Sequence, residues 1–336
     1  MTETLAAARG REASRTTFPV MGALAAAAGL AFLASVLVGP SGIWLPQGSE
    51  AARLILVEIR LPRAILGALI GGALGLSGAV LQGYLRNPLA EPGLLGIAGG
   101  ASLGAVIAIH SGAAAAFALA LPAGGLIGAG IAATAVMLLA GERSGPLTLI
   151  LAGVAISSLA GALTTLALNL SPNPFASVEM LFWLLGSLTD RSLLHVWLAA
   201  PLIIAGAALL LTTGRSLDAL TLGEEAAQNL GVDLRSLRAR IVAGTALSVG
   251  AATAVAGTIG FVGLVVPHLL RPFVGHEPRR LLPASILGGA VLVLTADVAL
   301  RAIAPFSEVR LGVVTALIGA PFFLWLVVST RRELGP

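Results

Sequence analysis

Few side chains in this 336-residue sequence could carry out covalent chemistry or bind a metal ion. The sequence has no cysteine, which excludes disulfides, thiolate metal sites and thiol nucleophiles. No serine–histidine–acid set and no pair of carboxylates has the spacing of an active site. The histidines fit no metal-ligand spacing either: they are His110, His195, His268 and His276. The sequence therefore predicts no catalytic site, no metal site and no cofactor bound by this chain.

All 20 basic residues are arginines, because the sequence contains no lysine. A P-loop needs a lysine to reach the β- and γ-phosphates of ATP, and a Schiff base needs a lysine amine. We therefore expect any ATP and Mg²⁺ that drive this protein to be bound by a separate ATPase polypeptide.

The densest group of charged side chains is segment 215–240, which lies between long apolar runs. Within it, Gly223–Leu230 can form two turns of helix, and two glutamates in the first turn favour the helix dipole. Gly231 suits a left-handed C-cap, and Asp233 suits the N-cap of the next helix. The segment predicts a short, water-exposed helix that a partner protein contacts. A solvated amphipathic loop is the alternative.

The elements that must position these groups are apolar. Hydrophobic residues make up 57% of the sequence and charged residues 11%, and the mean hydropathy is +0.97. Soluble domains carry about 25% charged residues, and a membrane-spanning helix needs about 20 apolar residues. The predicted fold class is therefore an all-α polytopic membrane protein. The high isoelectric point then reports on membrane orientation and not on nucleic acid.

The chain divides into two short tails and one transmembrane domain. Residues 1–17 form a polar N-terminal tail, and residues 332–336 form the C-terminal tail. Residues 18–331 form a single transmembrane domain that includes the loop 215–240. The first apolar run, Phe18–Val38, is longer than the apolar region of a signal peptide, so a transmembrane helix is favoured over a cleaved signal.

Hydropathy alone gives eight to ten spans. The run 92–141 is long enough for two spans with a break near His110–Gly112. Val178–Leu188 is too short to cross and is expected at the surface. The other apolar runs are 64–85, 144–178, 192–214, 241–270, 281–301 and 311–330.

The arginines predict the orientation. If ten spans start with the N-terminus inside, fourteen arginines face the cytoplasm and six face out, as the positive-inside rule requires. Both termini and segment 215–240 are then cytoplasmic. The six outer arginines are Arg53, Arg60, Arg63, Arg191, Arg301 and Arg310.

Two features lie within and after the 64–85 run. Three glycines repeat every four residues and form a smooth helix stripe against which another helix can pack, with lining of a pore as the alternative. The run is followed by NPLAEPG, residues 87–93, which predicts a cytoplasmic turn because Asn-Pro initiates turns. The stripe is Gly67, Gly71 and Gly75, and the polar and turn-forming residues are Asn87, Pro88, Glu91 and Pro92.

Three stretches resemble one family of membrane proteins: 61–106, 257–290 and 311–327. They are similar to the permease subunits of the ATP-binding-cassette importers for ferric siderophores, haem and vitamin B12. The resemblance implies about ten transmembrane helices in a BtuC-like permease fold, and a homodimer that surrounds the pathway. Residues 241–257 would then form one helix, and 261–272 part of a short one.

The resemblance also implies a partner for the charged segment. Glu225-Ala226-Ala227, followed after three residues by Gly231, resembles the EAA loop that docks on the ATPase subunits of importers. The Leu-Pro that usually follows is missing here. The implied ATPase contacts are Leu222, Gly223, Glu224, Glu225, Ala226, Ala227, Leu230 and Gly231.

Outer arginines form the second implied contact. In the family, arginines at the positions of Arg60 and Arg63 meet glutamates of a soluble substrate-binding protein, and Arg301 resembles a third. Cations at the start of a helix oppose its dipole, so something should compensate for them. Snorkelling to lipid phosphates is the alternative. Asp297 is expected to pair with Arg301, four residues away, and Arg310 is a weaker docking candidate.

Together these features predict a passive permease that imports a ferric chelate, either a siderophore or haem, across the cytoplasmic membrane of a bacterium. Vitamin B12 is the alternative substrate. A second hypothesis is an ion-coupled secondary transporter, but such proteins usually need intramembrane acids, and Asp297 is the single candidate in the sequence. A third, an intramembrane enzyme, lacks a nucleophile–base set.

Overall fold

The computed structural model describes residues 2–39, 42–43, 50–141, 145–303 and 309–333. Most of the predicted C-terminal tail lies outside these ranges. The helices are α1 Thr2–Leu37, α2 Glu50–Leu54, α3 Leu61–Leu85, α4 Ile97–His110, α5 Ala113–Ala116, α6 Ala120–Ala140, α7 Pro146–Asn169, α8 Pro174–Leu184, α9 Leu193–Leu211, α10 Gly214–Leu220, α11 Glu224–Asn229, α12 Leu234–Ala256, α13 Val262–Val274, α14 Pro278–Ile303 and α15 Leu311–Glu333.

Two helical turns and two short strands are the other elements of the described residues. A π-helical turn, Ile55–Arg60, joins α2 to α3, and a 3-10 turn, Pro92–Leu95, precedes α4. Strands β1 Val38–Gly39 and β2 Gly42–Ile43 form a two-residue antiparallel ladder after α1.

Eight helices in the described part of the chain are long and apolar enough to cross a membrane. They are α1 from Phe18 onward, the continuous helix Glu50–Leu85, α6, α7, α9, α12, α14 and α15. Two more apolar helices, α4 and α13, are about 20 Å long, which is shorter than the ~30 Å hydrocarbon core. The all-α polytopic fold of about ten helices is thus confirmed, including the separation of α12 from a short α13 and the break near Gly112.

The glycine stripe of α3 packs against α14. A Cβ atom on Gly71 would fall against the carbonyl oxygen of Gly289, and one on Gly75 against that of Ser285. Gly67 faces the Leu294 side chain. Because a larger residue at Gly71 or Gly75 would meet backbone atoms, the stripe is a close helix–helix contact, as predicted, and it places α3 at the centre of the protein.

The helix that contains the apolar run 64–85 begins well before that run. Helical backbone reaches back to Glu50, and the N–H of Leu61 bonds to the carbonyl of Leu56, five residues earlier. Proline cannot donate to the helix ladder and its ring crowds the preceding turn. The widened π-helical turn is placed directly before this proline, so the helix continues through it.

Helix α8 also differs from the surface position expected for Val178–Leu188. Met180 and Trp183 are buried against Val106 and Ile109 of α4. One face of α8 therefore belongs to the core, while Phe175 and Leu181 on the other face are exposed.

Candidate functional site

Helix α11 is a short capped helix, and its backbone follows the sequence expectation. Gly223 at its N-terminus has φ +105°, and Gly231 after its C-terminus has φ +86°, a left-handed conformation that favours glycine. The Asp233 side chain accepts a hydrogen bond from the N–H of Arg235 at 2.9 Å and so caps α12. The two glycines and the Asp233 cap thus set the direction of α11 relative to α12.

One side chain of α11 is buried, whereas several side chains in the helix and at its two ends are exposed. Ala227 is fully buried, whereas Leu222 and Leu230 at the two ends are 68% and 65% exposed. Glu225 is also exposed. Exposed leucines beside charged groups are typical of a surface that a partner covers.

A polar cleft of about 440 Å³ opens beside α11. The end of α3 contributes Tyr84, the start of α7 contributes Pro146, and the start of α12 contributes Arg238. Glu224 and Asp233 add negative charge to the same walls. The cleft therefore lies between segment 215–240 and three transmembrane helices at one end of the molecule.

Two polar contacts tie segment 215–240 to the transmembrane helices. Arg86, after the last residue of α3, lies 3.6 Å from Glu224 of α11. The N–H of Arg279 near the start of α14 donates to the Asp218 carboxylate of α10 at 3.1 Å. Segments predicted to be cytoplasmic are thus neighbours in the structure.

The NPLAEPG turn lies partly inside the protein. The Asn87 side chain accepts from the N–H of Leu89 at 2.9 Å, which closes the predicted turn. The chain then turns inward, so that Ala90 is fully buried. Pro92 packs against Gly263 at the start of α13. Asn87 and Pro88 form the turn, but Glu91 and Pro92 lie deeper than the cytoplasmic position predicted for them.

Glu91 enters a cavity of about 160 Å³ beside Leu74, at the middle of α3. The backbone N–H of Phe261, at the N-terminus of α13, donates to its carboxylate. Ala98 of α4 and Thr253 of α12 line the same cavity. The starts of both short helices therefore meet at one carboxylate inside the bundle.

Sequence reasoning singled out Glu91 as a turn residue but missed its contact with α13, because the start of α13 lies 170 residues further along the chain. It also missed Gln82, whose amide donates to the carbonyls of Gly263 and Leu264 at 3.2 and 3.3 Å. The Gln82 oxygen accepts from Arg271 at 2.7 Å. A single glutamine in the apolar α3 run was the available signal, since buried amides in a membrane need partners.

At the opposite end of the molecule, the predicted docking arginines form a cluster around Asp297. Arg63 donates to both carboxylate oxygens, from Nε at 3.2 and 3.0 Å and from Nη2 at 2.8 Å. Arg301 Nη2 lies 3.0 Å from the same carboxylate. Asp297 itself is 1% exposed. The predicted Asp297–Arg301 pair is confirmed, and Arg63 is a second partner.

Arg60 and Arg301 are also donors to the end of α1. Arg60 Nη1 donates to the carbonyls of Val36 and Leu37 at 2.8 and 3.0 Å. Arg301 Nη1 donates to the carbonyls of Ser35 and Val38 at 3.0 and 2.7 Å. These carbonyls have no intrahelical donor and carry the negative end of the helix dipole. The compensation that the sequence required for these cations is therefore internal, and docking to a partner stays a prediction.

Two other outer arginines lie beside α8 and α15. Arg310 precedes α15 and its guanidinium carbon is 4.8 Å from the centre of the Phe182 ring. Burial lowers the pKa of the Arg191 guanidinium; the nearby Asp190 raises it and Arg310 lowers it further. In the part of the chain that the structure describes, no group of three or more acidic or histidine side chains could hold a metal ion.

Comparison with known proteins gives consistent matches over nearly the whole chain. Residues 20–329 match the model of the FecCD transport family. The cobalamin import system permease protein BtuC of Halobacterium salinarum is 41% identical over 278 residues, which are 83% of this chain and 74% of that protein. The hemin transport system permease protein HmuU of Yersinia pestis is 38% identical over 295 residues, 87% and 88% of the two chains.

A solved structure has the same fold. It is described as a metal-chelate type ABC transporter in an inward-facing conformation, and it superposes with a TM-score of 0.84 at 31% sequence identity. The match covers 93% of this chain and 99% of that chain.

Proposed function

Because this chain belongs to the FecCD transport family and is a permease of a type II ATP-binding-cassette importer, we propose that a homodimer of it forms the path by which a ferric chelate crosses the cytoplasmic membrane of a bacterium. Membrane lipid surrounds the dimer, and both chain termini are cytoplasmic. No nucleic-acid partner is part of this proposal. The chain consists of tails 1–17 and 332–336 and the single transmembrane domain 18–331.

Two separate ATPase subunits drive transport by binding segment 215–240. The observation that carries this proposal is the geometry of helix α11. A glycine of positive φ lies at each of its ends, and Leu222 and Leu230 are exposed beside the charged cleft. ATP and Mg²⁺ are bound by the ATPases and not by this chain, which has no lysine for a P-loop. Tilting of α11 is passed to α3 through the Arg86–Glu224 contact.

A substrate-binding protein delivers the chelate to the opposite end of the permease. The cluster of Arg60, Arg63 and Arg301 supports this docking surface, because it is cationic at the outer end, where the positive-inside rule disfavours arginine. Arg63 has the largest exposed fraction of the three, at 14% of its side chain.

The substrate class rests on two kinds of relative. One curated relative is named for hemin transport and another for cobalamin import, and the similar solved structure is described as a metal-chelate transporter. We favour a ferric chelate, siderophore or haem, and cobalamin is the alternative. The membrane-spanning helices carry Thr, Ser, Asn and Gly but few charges, so we expect the permease to hold its cargo weakly and to depend on delivery.

An ion-coupled secondary transporter remains the competing class, and Glu91 adds an intramembrane acid in its favour. One experiment separates the two. The permease is reconstituted in proteoliposomes with and without its ATPase subunits, and uptake of iron-55 siderophore, haem and cobalamin is measured with ATP or with an imposed proton or sodium gradient. ATP-dependent uptake supports the importer. Uptake by the permease alone, driven by a gradient, would overturn it.

A further inference from the structure

Asp297 and Arg63 form an ion pair between two helices that are distant in sequence. Arg63 lies in the first turn of α3, and Asp297 lies 234 residues later in α14. Three donor–acceptor contacts of 2.8 to 3.2 Å make the pair bidentate, the geometry in which arginine binds carboxylate most strongly. Arg63 gives all of its described hydrogen bonds to this one carboxylate.

The neighbouring arginines are held differently. Arg60 and Arg301 donate to carbonyl groups at the end of α1, which would lose their donors if either side chain moved. Arg63 has no such backbone bond among the described residues, so its guanidinium can leave as soon as another carboxylate replaces Asp297. It is therefore the arginine of this cluster best able to exchange partners.

The charge balance favours such an exchange. Among the described residues, Arg63 and Arg301 share the single carboxylate of Asp297, and Arg60 lies near the same group, so these described side chains carry more positive than negative charge at a nearly buried site. Buried charge is costly unless it is paired, so a second carboxylate brought by a partner would complete the site. Asp297 would then remain paired with Arg301, and Arg63 would bind the incoming group.

We propose that Asp297 is a built-in competitor for the docking partner: it occupies Arg63 in the resting permease, and an acidic residue of the substrate-binding protein displaces it. This proposal rests on the importer function proposed above. The exchange also removes the ion pair that links the first turn of α3 to α14, so that docking changes a contact inside the permease. Asp297 is a positioning residue and does not touch the partner itself.

The test measures the Kd of the substrate-binding protein encoded beside this permease for the permease–ATPase complex in lipid nanodiscs. Asp297→Asn keeps the shape and removes the competing charge, so we expect binding about tenfold tighter than wild type. Glu58→Gln is the matched control, because Glu58 is an exposed acid near the same end and is not bonded to Arg63. It should change the Kd less than about twofold.

The double variant Arg63→Gln/Asp297→Asn decides the mechanism. If the competition acts through Arg63, this variant binds as weakly as Arg63→Gln, and the gain from Asp297→Asn disappears. The double variant removes one positive and one negative charge, so the net charge of the site is unchanged. It can therefore still be tested if Asp297→Asn alone fails to fold. A gain of the same size in both backgrounds, or binding that Asp297→Asn weakens, would overturn the proposal.

The two levels of inference fail differently. A wild-type complex that binds the substrate-binding protein with a Kd unchanged by Arg63→Gln overturns the competition while leaving the importer intact. A wild-type complex that shows no binding overturns the docking function and the competition together.

Discussion

At the scale of single residues, the least expected group is the carboxylate of Glu91. An acid inside a membrane bundle is retained only where it has partners or a function. Here it accepts the first N–H of α13, where the helix dipole favours negative charge. The residue therefore joins the turn after α3 to the start of α13, and the end of the bundle predicted to be cytoplasmic to its interior.

Replacing Glu91 with glutamine should lower both stability and transport. The substitution keeps the size and one oxygen acceptor, but an amide oxygen accepts the Phe261 N–H more weakly than a carboxylate does, and the new NH₂ group needs a partner inside the cavity. We expect a lower midpoint of thermal unfolding in detergent and reduced ATP-driven uptake, with Glu58→Gln as the exposed control. Wild-type uptake and stability in Glu91→Gln would show that the Glu91 carboxylate contributes to neither stability nor transport.

The residue scale is also where sequence reasoning reached its limit. The Asp297–Arg301 pair could be predicted because the two residues lie four apart on one helix. The Arg63–Asp297 pair and the Glu91–Phe261 contact could not, since each joins segments that are distant in sequence. Only the packing of complete helices brings these groups together.

At the scale of secondary-structure elements, close packing and capping are the features that local sequence determines well. The spacing of Gly67, Gly71 and Gly75 predicted the contact surface of α3, although not that its partner is α14. The glycines and Asp233 around α11 predicted both of its ends. The π-helical turn before Pro62 was not predictable, because proline usually marks a helix start.

Substitution of Gly71 by alanine should destabilise the protein. A methyl group at this position meets the backbone of Gly289, which cannot move aside as a flexible side chain can. Overpacking of this kind costs about 1–3 kcal/mol. Gly130→Ala in α6 is the matched control, because a Cβ there meets open space. Equal unfolding midpoints for both variants would contradict the tight α3–α14 contact.

Leu230→Asp should weaken the attachment of the ATPase subunits. The side chain is exposed and lies at the end of α11, so the change costs the isolated permease little. Burial of the leucine by a partner would make it worth about 1–2 kcal/mol or more at the interface. Co-purification of the ATPases measures this, with exposed Asn229→Asp as the charge-matched control. Equal recovery from both variants would exclude Leu230 from the interface.

At the scale of the whole molecule, the structure gathers charged segments at two opposite ends. Arg86, Glu224 and Arg279 belong to one end, and Arg63 and Arg301 belong to the other. The division of arginines predicted from hydropathy matches this arrangement. Composition was sufficient for the fold class because about 20 apolar residues per span leave little ambiguity. Hydropathy predicted the break after α4, whereas the short α13 was separated from α12 only with the help of the family resemblance.

The absence of cysteine allows a direct test of orientation. Single variants Leu230→Cys and Glu58→Cys introduce the sole thiol of each protein at exposed positions on opposite ends. A membrane-impermeant maleimide applied to sealed, right-side-out vesicles should label Glu58→Cys and spare Leu230→Cys, while inside-out vesicles should give the reverse. The opposite pattern would invert the topology.

Helices α4 and α13 both start beside Leu74 and cover only part of the bundle's depth. Helix starts carry amide groups that the helix itself leaves unbonded. Glu91 accepts the amide at the start of α13, so two helix starts and one carboxylate form a polar layer within an otherwise apolar bundle. The apolar depth of the bundle is thereby divided into two shorter parts at this level.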